Sequence, residues 1–424
     1  MPKVGDGLPR YVPRSSVAWV GSSRAEILQA RQALRSMRPA GVLDELGFLT
    51  LLGVFSDRFY PRLSTVMTRA RYFIFIPAIF RALEREARSV RRNAERYVEQ
   101  RQKELCKALM ATDESQPGII GKLRAGDVVI HPSRIYWSGL RELEIYEAGI
   151  SEAALLRDIA AVGTDGGMSD DDGIVHESDT ASTWHPECPT DAVIDNATNA
   201  FKSNLSLALT VEEAEYLLQR MLRREENGPP SLLGQRLQAL RGGQLALDAW
   251  PWETTGLPAS LQRSVEHARR LSRVARGTQL QYHAMLFELR PEDEDTGTFD
   301  AFSDWWEASY DDLRSWDLDE FAQLDGVARL DQRQTLKFLR DWVARVLRAR
   351  TSHQAFSDAE ARREIRLREL NTRPSKPRLP GGFHLKEWRP PASYKSTTLF
   401  GLEYRQGIGN QVVLDIAAGL GVSV

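Results

Sequence analysis

Seven arginines, Arg69, Arg71, Arg81, Arg85, Arg88, Arg92 and Arg96, fall within one short stretch of this 424-residue chain. A guanidinium is permanently charged and presents a planar fork of donors that fits phosphate oxygens, so such a bank suits a nucleic-acid backbone. On a helix, the rows Arg81/Arg85/Arg88/Arg92 and Arg92/Arg96 repeat at three- and four-residue steps and lie close together on one surface. Contacts of that kind position a protein on a duplex without reading its sequence. The same pattern also describes an ordinary solvated helix face.

Other chemistries are represented less completely. His176, His185 and Cys188, in "HESDTASTWHPEC", are metal-capable, but a zinc site wants four ligands with a tight half, and only the His185/Cys188 pair comes close. A polar loop is the reading this supports, and neither a metal nor a cofactor is expected. The "SDDDG" tract fails as a calcium loop: with Gly173 at the sixth position, Met168 falls where the first aspartate belongs. The chain has no phosphate-cradling G-x-x-x-x-G-K-[ST] loop, no G-x-G-x-x-G after a strand, no G-x-S-x-G elbow and no H-E-x-x-H. These gaps argue against a nucleotide-driven motor and a serine hydrolase. A metal-dependent nuclease needs carboxylates and a lysine converging on paired strands. The acidic stretch from Leu286 to Asp325 supplies carboxylates, but at helical spacing and with no nearby lysine.

The elements that must position these groups read as mainly α-helical and multi-helical, with a small winged-helix-like piece near residues 117–150. "VLDELGFLTLLGVFSDRFYP" carries apolar residues at helical steps. "TRARYFIFIP" (68–77) admits a strand, but its apolar stripe favours a buried helix capped at Ser64 or Thr65 and breaking at Pro77. "AIFRALEREARSVRRNAERYVEQRQKELCKALM" reads as one long charged helix, and Ser133 as the cap of the helix holding Tyr136 and Trp137. Thr210 and Glu213 form a capping box ahead of "EYLLQRMLRREENG", with Gly228 as its stop. "PASLQRSVEHARRLSRVARGTQLQYHAMLFELR" is a second long helix. "SDWWEASYDDLRSW", capped by Ser303, turns its aromatic residues towards a core, since stacking on nucleic acid needs positive surroundings. Four parts follow: an N-terminal helical domain (1–163), an acidic mobile loop (164–182), a central helical domain (183–372), and a C-terminal linker with a packed helix (373–424).

The net charge of −2 conceals strong blocks. Arg62–Lys107 has 12 Lys/Arg against 5 Glu, Leu286–Asp325 has 14 Asp/Glu against 2 Arg, and Gly326–Ser393 has 16 Lys/Arg against 7 Asp/Glu. Such blocks pair within the fold or face separate partners. The two cysteines, Cys106 and Cys188, imply no disulfide framework. The N-terminal "MPKVGDGLPRYVPRSS" has no signal-like apolar core, and no run is long enough to span a bilayer, so a cytoplasmic protein without a membrane anchor is expected.

"FSDRFYPRLSTVMTRARYFIFIPAIFRALE", with "VLDELGFLTLLG" before it, resembles the signature of a bacterial family of unknown function. "SRIYWSGLRELEIYEAG", "VEHARRLSRVARGTQLQYHAMLFEL" and "LEYRQGIGNQVVLDIAAGL" extend the resemblance over nearly the whole chain. It implies genes near helicases and phospholipase-D-type nucleases in phage-defence regions, and it carries no catalytic residues. The chain departs from the family pattern at Arg276-Gly277-Thr278, where that pattern has histidine-glycine-alanine. The combined expectation is a non-motor accessory subunit acting with a helicase or nuclease on DNA, with Arg69, Arg71, Arg81, Arg85, Arg88, Arg92 and Arg96 on the phosphate backbone. The alternative is a metal-dependent nuclease or other stand-alone enzyme.

Overall fold

The computed structural model describes residues 45–122, 130–162 and 184–194, and 201–422 apart from breaks at 203–204, 227, 246, 248–249, 294, 296, 331–332, 380–382 and 390–401. The loop expected at 164–182, with His176, lies outside the described residues. Sixteen α-helices, two short 3-10 turns (Thr190–Ala192 and Pro251–Glu253) and two isolated bridges, Tyr146 to Trp184 and Ile194 to Phe201, account for the regular structure among them. The fold is therefore mainly α. Within 117–150 the described residues hold one helix and one half of a bridge, with no wing hairpin. No described helix is long and apolar enough to cross a membrane.

Helix α1 (Leu49–Phe59) buries Phe55 and Phe59 against Tyr404, with ring centroids 5.7 and 5.6 Å away. Helix α2 (Tyr72–Glu84) is the centre of the molecule. It begins at Tyr72 rather than after Ser64 or Thr65, because residues 61–71 form turns in which Arg62 takes a left-handed φ of 68°. It also runs through Pro77 instead of breaking there. A proline inside a helix costs about 3 kcal/mol through its lost hydrogen bond and ring clash. Phe73, Ile74, Phe75 and Ile76 are all 0% exposed, and burying each contributes roughly 1.5–3 kcal/mol, so packing outweighs the defect.

The long charged helix expected from residue 81 onward is instead divided. Between α2 and α4 (Ala94–Thr112) lies only the single turn α3 (Arg88–Arg91). Helix α3 buries no residue, and Ala87 and Asn93 on either side leave helical geometry. Four-arginine density with only Ala87 and Val90 as apolar anchors supplies no packing to hold a continuous helix there.

Helices α5 (Pro132–Glu142) and α6 (Glu152–Val162) close over α2 and α4. Helix α5 starts with proline at its first position, and Ser133 donates to Glu152 at 2.6 Å instead of capping it. Helix α7 (Val211–Glu226) opens on the expected capping box: Thr210 N–H donates to Glu213 Oε2 at 2.8 Å, and Glu213 N–H to Thr210 Oγ1 at 3.2 Å. Helix α8 (Leu232–Arg241) follows, capped by Ser231.

The second half is built on α9 (Ala259–Glu288), 30 residues long, with α10 (Thr298–Arg314) along it. Helix α10 starts after Gly297, and the expected cap Ser303 sits inside it, bonded to Ser352. The indole of Trp305 lies so close to α9 that a Cβ at Gly277 would overlap it, which explains the glycine of the Arg276-Gly277-Thr278 triplet. Of the four aromatic residues expected in a core here, Trp305 and Trp316 are buried, whereas Trp306 and Tyr310 are half-buried. The acidic block meets basic neighbours: Asp312 faces Arg269, Arg270 and Arg273, Glu288 faces Arg362, and Asp319 faces Arg340. Helices α11 (Leu318–Gln323), α12 (Arg333–Arg348), α13 (Ser352–Ser357), α14 (Ala359–Thr372), α15 (Phe383–Lys386) and α16 (Gln406–Gly419) complete the order. Contacts from the N-terminal part reach the C-terminal part: Arg378, in the turns after α14, pairs with Glu45 at 2.7 Å, and Asp415 of α16 pairs with Arg69 at 2.8 Å.

Candidate nucleic-acid interface

The seven sequence-selected arginines divide into two groups. Arg69, Arg71 and Arg81 turn inward. Arg69 donates through Nε to both oxygens of Asp415 at 2.9 and 3.0 Å, and the Ala70 N–H joins the same carboxylate at 2.8 Å. Arg71 is 6% exposed and binds Glu213 through Nη2 at 2.9 Å and the Ser206 carbonyl through Nη1 at 2.8 Å. Arg81 donates to the carbonyls of Cys188 and His185 at 2.9 and 2.7 Å and to Thr190 Oγ1 at 2.9 Å. These three guanidinium groups are engaged with the fold, which accounts for two arginines standing directly before an apolar run.

Arg85, Arg88, Arg92 and Arg96 turn outward. All four are exposed, and they follow the chain through the end of α2, the single turn α3 and the first turn of α4. The divided backbone thus arrays them around a bend rather than along one straight face.

That bend forms the lip of a cleft of about 520 Å³ between the N-terminal turns of α4, α5 and α6. Arg92 and Arg96 line it together with Arg134 of α5 and Arg157 of α6, two arginines that residue spacing did not single out. Glu95, Glu99 and Glu152 stand among them. Glu152 is fixed by the Ser133 hydroxyl at 2.6 Å, and burial raises its carboxyl above the usual carboxylate range. Two further ion pairs in the cleft are long: Arg134 Nη2 lies 3.8 Å from Glu95 Oε1, and His131 Nε2 lies 3.7 Å from Glu99 Oε1. Neither distance is a hydrogen bond.

The His185/Cys188 pair behaves as part of a core. Cys188 is 3% exposed, and burial pushes its thiol up to about 12, which disfavours the thiolate that a metal would need. Burial likewise lowers the His185 imidazole, and its ring lies tilted beside Tyr216, centroids 5.7 Å apart. Among the described residues no three His, Cys, Asp or Glu side chains gather as metal ligands.

The chain matches a family of unknown function, DUF6361, over residues 14–419. It belongs to that family. The match takes in the RARYF stretch, the arginine bend, the cleft and α16 alike. No curated protein and no solved structure matches the chain.

Proposed function

We propose that this DUF6361 protein is a non-motor accessory subunit that works beside other proteins, such as a helicase or nuclease, on DNA in bacterial defence. The observation that carries this reading is the exposed run Arg85, Arg88, Arg92 and Arg96 around the bend between α2 and α4. The genomic setting implied by the family resemblance adds the defence context. Phosphate contacts alone give sequence-tolerant binding. The acidic α10–α11 region, partly neutralised by Arg269, Arg270 and Arg273, faces protein rather than DNA in this reading.

Duplex binding measured against salt tests it. Each neutralised phosphate releases condensed counterions, so affinity falls steeply with salt. The Arg88→Glu/Arg92→Glu variant should lower the slope of log affinity against log salt by about 2. Equal slopes in the two proteins would return the run to a solvated surface. No duplex affinity at all would leave only a protein-binding role, and activity abolished by EDTA would favour the nuclease.

A further inference from the structure

We infer that the cleft between the N-terminal turns of α4, α5 and α6 is a binding site for a nucleotide phosphomonoester, presented on DNA as the 5′-phosphate of a duplex end. The duplex-end part rests on the DNA-binding reading above, whereas the phosphomonoester part does not.

Four arginines from separate segments converge on one concavity: Arg92 ahead of α4, Arg96 within it, Arg134 on α5 and Arg157 on α6. A duplex backbone passing over a surface is met by cations along a line. A terminal phosphate carries a third free oxygen and a second charge, and a concave set of guanidinium forks can surround it. The volume of about 520 Å³ lies within the range of roughly 300–1,000 Å³ usual for small-ligand sites. The first turns of α4 and α6 also line the cleft, so their backbone partial charge adds to the attraction.

The carboxylates refine the ligand. Glu99 and Glu152 among the arginines would repel a continuous polyanion, but they can accept from sugar hydroxyls or base amino groups. A ligand with one phosphate and a polar organic body fits better than a bare anion. Arg134 meets the third carboxylate, Glu95, in a long and exposed ion pair, 3.8 Å from Nη2 to Oε1. A phosphate can take up Arg134 at the cost of that weak surface pair alone.

Five probes test the inference: deoxyadenosine 5′-monophosphate, deoxyadenosine, and one duplex as a closed circle, a linear 5′-phosphate form and a linear 5′-hydroxyl form. The monophosphate should bind saturably and the nucleoside should not. The 5′-phosphate duplex should bind about tenfold tighter than the 5′-hydroxyl duplex, the scale of one charge-assisted interaction. The Arg134→Gln/Arg157→Gln variant changes exposed side chains, so it should keep the native melting profile and its affinity for the circle. It should lose both phosphate preferences. Equal binding of the two linear forms with no uptake of the monophosphate overturns the inference, even if the circle binds and the proposed function stands. Preferences that survive in the variant also overturn it. Monophosphate uptake without duplex binding supports a free nucleotide as the ligand and overturns the DNA reading instead.

Discussion

Arg71 and Glu213 form an ion pair sealed from water: Nη2 lies 2.9 Å from Oε1, and Glu213 is 0% exposed. The other carboxylate oxygen accepts the Thr210 N–H at 2.8 Å. One side chain therefore fixes the start of α7 and holds the entry to α2 against it. Breaking a buried pair from one side leaves an uncompensated charge.

Arg71→Ala should accordingly lower stability by about 3–5 kcal/mol. Adding Glu213→Gln should recover part of the loss, since the amide still accepts from Thr210 without a stranded charge. Urea denaturation of the single and double variants measures both. A single-variant loss below about 1 kcal/mol would place the pair with weak surface bridges.

Phe73 is 0% exposed and meets Tyr136 edge-on at 5.0 Å. Phe73→Ala should cost about 3–5 kcal/mol, seen as a lower denaturation midpoint at unchanged slope. An unchanged midpoint would contradict the core role of the RARYF stretch.

At Gly277 two effects have opposite signs. Glycine to alanine in a helix interior ordinarily gains about 1 kcal/mol. Here the new methyl meets the Trp305 indole, so Gly277→Ala should instead lose about 1–3 kcal/mol. Combined with Trp305→Leu, the same substitution should cost less than in the native background. Thermal melts of the three variants decide the sign.

His283 supplies a pH dependence. Burial, with help from the nearby Arg378 charge, lowers its imidazole to about 3. The unfolded chain titrates near 6.5, so above that pH both states are neutral and the contribution to stability is complete. As pH falls from 6.5 towards 3 only the unfolded chain takes up the proton, and stability declines by about 1.4 kcal/mol per pH unit. His283→Gln should flatten the denaturation midpoint against pH in that window by about one proton relative to the native protein. Parallel curves for the two proteins would contradict the neutral buried ring.

Much of the helical order is legible in residue order, because it rests on local signals. The Thr210/Glu213 box and the periodic apolar face of α9 each act within a few turns. What is not legible depends on distant partners. Whether Pro77 ends a helix turns on the burial around it. The fate of the signature arginines turns on carboxylates 142 and 346 positions away. The cleft is a harder case still. Arg134 and Arg157 carry no spacing relation to Arg92, and only the packing of α5 and α6 over α4 brings them together. The breaks at Ala87 and Asn93 do leave a trace in the weak apolar stripe between Leu83 and Ala94.

The Arg69–Asp415 pair spans 346 positions of sequence, so the environment of α2 is completed by a segment synthesised long after it. Until α16 has left the ribosome, Arg69 and the Ala70 amide lack the carboxylate that both require, and the apolar face of α2 waits beside an unfilled seat. Folding around α2 is thus tied to synthesis through α16. Loop closure over such a distance is slow compared with local helix formation. Nascent chains that stop short of residue 415 should expose that unfinished site to proteases and chaperones.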